Sequence, residues 1–200
     1  MSIPRLIIFE GVDAAGKSTV CAKYLSRLRG QGVAAELLSF PGKISRTIGE
    51  FVYSAHHNPA SVGIDKITST SLQTLHIAAH LDAIESLIVP QLESGKTIVL
   101  DRYWWSTWVY GIIGGVRPEI LQALIEVERL AWDKWQPGIL FHVTRLTPLR
   151  EEPADTWPKL VTEYDSLASR EAGKYPIQTL SNEGDVEDTV AKAISLSHGL

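Results

Sequence analysis

Residues 11–18, Gly11-Val12-Asp13-Ala14-Ala15-Gly16-Lys17-Ser18, have the spacing G-x-x-x-x-G-K-[ST]. An apolar run at 6–9 precedes them, and Val20, Tyr24, Leu25 and Leu28 recur behind them at helical spacing. Strand, glycine turn and helix N-terminus in that order form an anion cradle. The glycines let successive backbone N–H groups converge, Lys17 adds a cation, and the helix end adds positive potential. The Ser18 hydroxyl is of the type that ligates magnesium beside a polyphosphate. Gly11, Ala14, Ala15, Gly16, Lys17, Ser18 and Thr19 are therefore expected to hold a nucleotide's phosphates. The competing reading, a glycine turn with no ligand, does not account for the strand before it and the helix after it.

The alternation of strand and helix continues to the end of the chain. Further apolar runs at 35–40, 97–100, 139–143 and 177–180 suit strands covered on both faces. Residues 72–92 read as one long helix, bent at Pro90 and stopped at Ser94-Gly95. Pro118 suits the first turn of another, with Ile120, Leu121, Leu124, Ile125 and Leu130 as its stripe. A last helix at 186–196 opens with Asp185, Glu187 and Asp188, where acid favours the helix dipole. The expectation is an α/β protein with the three-layer P-loop NTPase fold, a five-stranded parallel sheet carrying helices on both faces. A single domain is expected to span residues 1–200, with a short lid near 145–157. Residues 147–158, rich in proline and acid, read as a mobile surface segment.

Hydrophobic residues make up 44% of the 200 and charged residues 21%, which excludes a disordered chain. The formal charge of −4 disfavours a nucleic acid polymer as partner, since that needs a basic face. Cys21 is the only cysteine, so no intrachain disulfide can form, and its place in an apolar stripe makes it a core residue. No run is long enough to cross a membrane and no targeting segment is evident. A cytoplasmic protein without a membrane partner is expected.

The run at 97–100 ends in Asp101-Arg102-Tyr103. An aspartate at a strand end suits magnesium. The arginine after it suits a second anion, because a guanidinium grips phosphate oxygens in a bidentate fork. Two anion centres at neighbouring strand ends point to phosphoryl transfer between two phosphorylated molecules. No NKxD element for reading guanine is present, which sets regulatory GTPases aside.

These motifs resemble those of the thymidylate kinase family. Phe9-Glu10-Gly11-Val12-Asp13 resembles its opening, and Ser39-Phe40-Pro41 with Ile48-Gly49 its second strand and the segment after it. Ala78-Ala79-His80 with Glu85, Pro90 and Gly95 resembles its acceptor helix. Asp101-Arg102-Tyr103 with Ser106-Thr107 and Tyr110-Gly111 resembles its DRY element, and the likeness covers roughly residues 5–145. The resemblance implies ATP as donor, Mg2+ organised by Ser18 and Asp101, a nucleoside monophosphate as acceptor, and a homodimer. It implies that Asp13 reaches toward the acceptor and that Arg102 binds its phosphate, helped by Lys43 or Arg46. Phe40, Pro41 and Ser106 fall in the acceptor site, and Tyr110 packs against the deoxyribose. Transfer concentrates negative charge on the moving phosphoryl group. Ala14 and Ala15 supply no cation there, so besides Lys17 a lid arginine, Arg150 in preference to Arg145, is expected to be catalytic.

Three departures bear on the acceptor's base. The family presents a Phe that stacks on thymine and, four residues on, an Arg that bonds it. Here those places hold His76 and His80, which share a helix face. Base contact by one of them and ordinary packing of both are open alternatives, and His56 and His57 read as surface. Trp104, Trp105 and Trp108 either wall a wider pocket or pack in the core. The lid is short. The expected acceptor is a (deoxy)pyrimidine monophosphate such as dTMP or a modified relative. The alternatives are a kinase of another acceptor, such as a nucleoside, and a non-catalytic nucleotide-binding protein.

Overall fold

The computed structural model describes residues 3–198. Strands β1 (Leu6–Glu10), β2 (Ala35–Ser39), β3 (Thr97–Asp101), β4 (Ile139–Thr144) and β5 (Ile177–Ser181) form one parallel sheet, in the order β2-β3-β1-β4-β5. Every residue of β1 and β3 is buried, which is why their sequences are near-continuous apolar runs rather than alternating ones. Phe9 lies beside Asp101 of β3 and Phe141 of β4, and Ser39 lies beside Asp101. The carboxyl ends of β1 to β4 therefore finish almost level, and such an edge is where open α/β sheets bind ligands.

Eight α-helices complete the described chain: α1 (Lys17–Gly30), α2 (Ile48–His57), α3 (Ser69–Ala83), α4 (Val89–Glu93), α5 (Trp104–Ile113), α6 (Pro118–Trp132), α7 (Trp157–Glu171) and α8 (Val186–Ser197). Helix α1 packs against α8, while α3, α5, α6 and α7 pack together, giving a helical layer on each face of the sheet. Phe9, Tyr24 and Phe141 join β1, α1 and β4 through ring contacts of 5.0–6.1 Å. Cys21 is buried beside them in the core, as its stripe predicts. No helix among the described residues is long and apolar enough to cross a membrane.

Two sequence expectations change. The single helix expected at 72–92 is α3, a π-helical turn at Ile84–Ile88, and α4. Pro90 has no N–H to send back to the Ser86 carbonyl, and the wider turn lies immediately before it. The segment at 147–158 is not all loop: Trp157-Pro158 opens α7, with Trp157 buried and proline in the first turn.

Candidate active site

The glycine loop is shaped from below by its neighbours. Gly11 has φ +140°, and a Cβ there would overlap the Val143 carbonyl of β4. Gly16 has φ +88° and turns the chain into α1. Asn182, after β5, donates its side-chain amide to the Ala15 carbonyl at 2.8 Å and accepts from the Thr189 hydroxyl at 3.1 Å. From above, Leu149 N–H donates to the Ala14 carbonyl at 2.9 Å, and the Trp157 indole donates to the Asp13 carbonyl at 2.9 Å. Leu149 and the start of α7 thus rest on the loop.

Lys17 is buried, 3.8 Å from Asp13 Oδ1, and its Nζ donates to the Val12 carbonyl at 3.0 Å. Burial, with repulsion from Arg102, draws its ammonium below the ordinary lysine range. Ser18 Oγ donates to Asp101 Oδ2 at 2.6 Å, while Asp101 Oδ1 is buried without a hydrogen-bond partner. An unpartnered carboxylate oxygen beside a hydroxyl of the glycine-loop helix is a donor set that fits magnesium.

Arg102 and Asp13 form the second centre. The Arg102 guanidinium pairs with Asp13 Oδ1 and also donates to Ser106 Oγ at 3.1 Å. Burial works to raise the Asp13 carboxyl, but Arg102 and then Lys17 outweigh it and hold it at about 2. Tyr110 lies beside the pair: Asp13 N–H donates to its hydroxyl at 3.2 Å, and its ring centre is 5.8 Å from the Arg102 guanidinium. Arg102 has φ +80°, an uncommon conformation for a residue with a Cβ.

Glu10 links the two centres, and the sequence reading gave it no role. It is wholly buried at the end of β1 and accepts from the N–H groups of Tyr103 and Ser106 at 2.6 and 3.0 Å. The same carboxylate accepts from Gly11 N–H and from the Ser106 and Tyr164 hydroxyls. Tyr103 at the start of α5 has no side-chain cap of its own, so Glu10 caps that helix from a different strand. Burial pushes the Glu10 carboxyl up, against the pull of Arg102 and Lys17. A lone acid closing an apolar strand was the available signal. Asn182 carried none, since the loop carbonyl it meets lies 167 residues away in sequence.

Between the centres and helix α3 lies a cleft of about 670 Å3. Asp13, Ser18, Asp101, Arg102, Ser106 and Tyr110 line its floor, and Phe40, Pro41, Lys43, His76 and His80 line its wall. Lys43 Nζ sits 4.3 Å over the ring of Tyr53. His80 is buried, stacked on Phe40 at 3.9 Å, with Nδ1 2.7 Å from Glu128 Oε2. His76 Nε2 lies 3.1 Å from Nδ1 of His56, and burial, then His80 and His56, push its imidazole down to about 2. His56 and His57 are exposed, yet they also line the cleft, because α2 ends there.

Other residues fall elsewhere. Arg46 is exposed outside the cleft lining, its N–H held by Glu50 at 2.6 Å, so Lys43 is the basic residue that reaches the wall. Arg150 lines the cleft mouth and pairs with Glu152 at 2.7 Å. Arg145 does not line the cleft; its guanidinium donates to the Asn182 carbonyl, and its Nε is buried without a partner. Trp104 and Trp105 are core residues, and Trp108 packs on α7, donating to Glu163 at 2.7 Å. None of these tryptophans lines the cleft, so the wider tryptophan-walled pocket is set aside.

The sheet order and the glycine loop define a P-loop protein, with a cleft beside the loop and the Arg102–Asp13 pair on its floor. A thymidylate kinase family model matches residues 9–126, and the chain belongs to the thymidylate kinase family. It is 35% identical over 145 residues to a thymidylate kinase of Chlorobaculum parvum, covering 72% of this chain and 62% of that one. It is 34% identical over 125 residues to a thymidylate kinase of Pelodictyon phaeoclathratiforme, covering 61% and 54%. The chain thus spans less than two thirds of the length of these relatives. The crystal structure of an Ehrlichia chaffeensis thymidylate kinase superposes with a TM-score of 0.73 over 96% of this chain and 97% of that one, at 19% identity, a likeness of fold.

Proposed function

We propose that the chain transfers the γ-phosphoryl group of ATP to a (deoxy)pyrimidine monophosphate such as dTMP or a modified relative. The observation that carries this is the placement of Arg102, just after β3, against Asp13 of the glycine loop that holds Lys17, with both lining one cleft. The donor's phosphates lie in the loop from Gly11 to Thr19, with Lys17 neutralising their charge. Ser18 and Asp101 hold magnesium, which supplies charge neutralisation on the polyphosphate when bound. Arg102, with Lys43, grips the acceptor phosphate. Asp13 orients Arg102, and Tyr110 and Phe40 position the sugar and base. An oxygen of the acceptor phosphate, already anionic, attacks the γ-phosphorus in line, so positioning and charge neutralisation carry the catalysis and no strong base is needed. Arg150 at the cleft mouth is the lid cation placed to meet charge on the moving group. Resemblance to the family supports a cytoplasmic homodimer, and the exposed Ile44, Ile48 and Phe51 supply apolar surface near α2 for such a contact.

The test is magnesium-dependent ADP release across a panel of nucleosides and nucleoside monophosphates. Release with dTMP or a modified pyrimidine monophosphate, lost at least tenfold in Lys17→Ala, is the expected result. Release with nucleosides alone moves the acceptor class, and ATP binding with no transfer to any member overturns the assignment as a kinase.

A further inference from the structure

We propose that Glu10, through Ser106 and through the backbone on either side of Arg102, positions Arg102 for the acceptor phosphate. This rests on the reading of Arg102 as the arginine that grips that phosphate.

Arg102 is held in its main chain first. At φ +80° it occupies a region that a residue with a Cβ keeps only where its surroundings over-determine it. Its own N–H donates to the Phe9 carbonyl at 2.9 Å, and the next N–H, of Tyr103, donates to Glu10 Oε1 at 2.6 Å. Two consecutive residues at the end of β1 thus pin both peptide groups that flank the Arg102 Cα. The side chain is held by Ser106. Arg102 Nη1 donates to Ser106 Oγ at 3.1 Å, and a guanidinium can only donate, so the hydroxyl oxygen accepts there. Ser106 is fixed in turn by Glu10 at two atoms. Its N–H donates to Oε1 at 3.0 Å, and its hydroxyl donates to Oε2 at 2.9 Å. Glu10 is wholly buried and Ser106 nearly so, which leaves little room for water to take over these bonds.

Asp13 takes Nη2 from the glycine-loop side while Ser106 takes Nη1, so the two contacts together fix the guanidinium plane as neither does alone. Glu10 also accepts from Gly11 N–H at 3.2 Å, the first amide of the loop. One carboxylate therefore sets the placement of the loop and of the arginine relative to each other, and in-line transfer depends on that placement. Glu10 does not line the cleft, so it is a positioning residue that acts through Arg102.

Two measurements test this. NMR of the guanidinium nitrogens reads rotation about the Nε–Cζ bond of Arg102 without any substrate, with the exposed Arg117 as internal reference. Rotation should be slow in the parent and faster in Ser106→Ala and in Glu10→Gln. In ADP release with dTMP, ATP and magnesium, Ser106→Ala should raise the acceptor KM roughly fivefold or more, the factor for one ordinary hydrogen bond. The KM for ATP should stay within about twofold, and Ser106→Thr, which keeps the hydroxyl, should restore most of the loss. A double-mutant cycle separates positioning from general stability. In an Arg102→Ala background, Glu10→Gln and Ser106→Ala should each change kcat/KM by less than about twofold, because the group they act through is gone. Loss of the same factor in both backgrounds, or an Arg102 that rotates as freely as Arg117 in the parent, overturns the inference and leaves the kinase reading standing. Slow rotation that the variants release, in a protein that transfers phosphate to no acceptor, overturns the kinase reading and leaves Glu10 and Ser106 as the residues that order Arg102.

Discussion

Replacing Arg102 with alanine should remove most of the grip on the acceptor phosphate. Arg102 and alanine carry the same Cβ at φ +80°, so the backbone cost is common to both and the substitution reports the side chain alone. A hydrogen bond to a charged group contributes ~1.5–3 kcal/mol, which corresponds to about a 10- to 150-fold loss in kcat/KM. The guanidinium already holds Asp13 and Ser106 in the free protein, so part of the phosphate bond is an exchange, and the loss should lie toward the lower end. The assay is coupled ADP release at saturating ATP with the acceptor varied. Asp13 gives a second readout. Its carboxyl titrates at about 2 in the parent and should move upward in the variant, because burial persists while the larger opposing charge is gone. A carboxyl depressed in the folded state contributes stability that is present above the unfolded value near 3.9 and lost as pH falls through about 2. Discounted for the partial exposure of Asp13, that contribution is ~1 kcal/mol. The stability gap between parent and variant should therefore narrow between about pH 4 and pH 2, as chemical denaturation at each pH would show. A kcat/KM within twofold of the parent would refute the assignment of the second anion centre.

Gly11→Ala forces a Cβ into the Val143 carbonyl at a φ that L-residues rarely adopt, and should lower Tm by on the order of 10 °C in calorimetry. Gly32→Ala, also at positive φ but with no neighbour in reach, should cost clearly less. Asp101→Asn weakens the proposed magnesium site and should raise the half-saturating magnesium concentration at least tenfold in the ADP-release assay. An unchanged magnesium dependence removes Asp101 from that site. Arg150→Ala deletes an exposed ion pair, which contributes ~0–1 kcal/mol, so stability should barely move while kcat falls by about 100-fold or more. Arg145→Ala, which deletes a part-buried guanidinium held to the Asn182 carbonyl, should show the opposite division, a lower Tm with a smaller loss of kcat.

The glycine loop was legible because its geometry is local. The residues from Gly11 to Ser18 are consecutive, and the backbone of one turn makes most of the cradle. Asp101-Arg102 was legible for a similar reason, since it directly ends an apolar run. Helix α5 was not, because Trp104–Ile113 is apolar on nearly every side and has no single stripe to give its period. The roles of the base-end residues were less legible still. His76 and His80 could be placed on one helix face, but their contacts with His56, Phe40 and Glu128 reach α2, the turn after β2, and α6.

The sequence by itself determined the alternation of strand and helix, the glycine loop and the Asp101-Arg102 pair at a strand end. Each follows from periodicity or from neighbours along the chain. Only the tertiary structure decided that Glu10 caps α5, that Asn182 and Trp157 hold the loop from opposite sides, and that the tryptophans belong to the core. It also decided that His80 meets the cleft with one nitrogen already bound. Those outcomes depend on polar atoms meeting across elements up to 167 residues apart, and burial makes each such bond obligatory only once the sheet has brought them together.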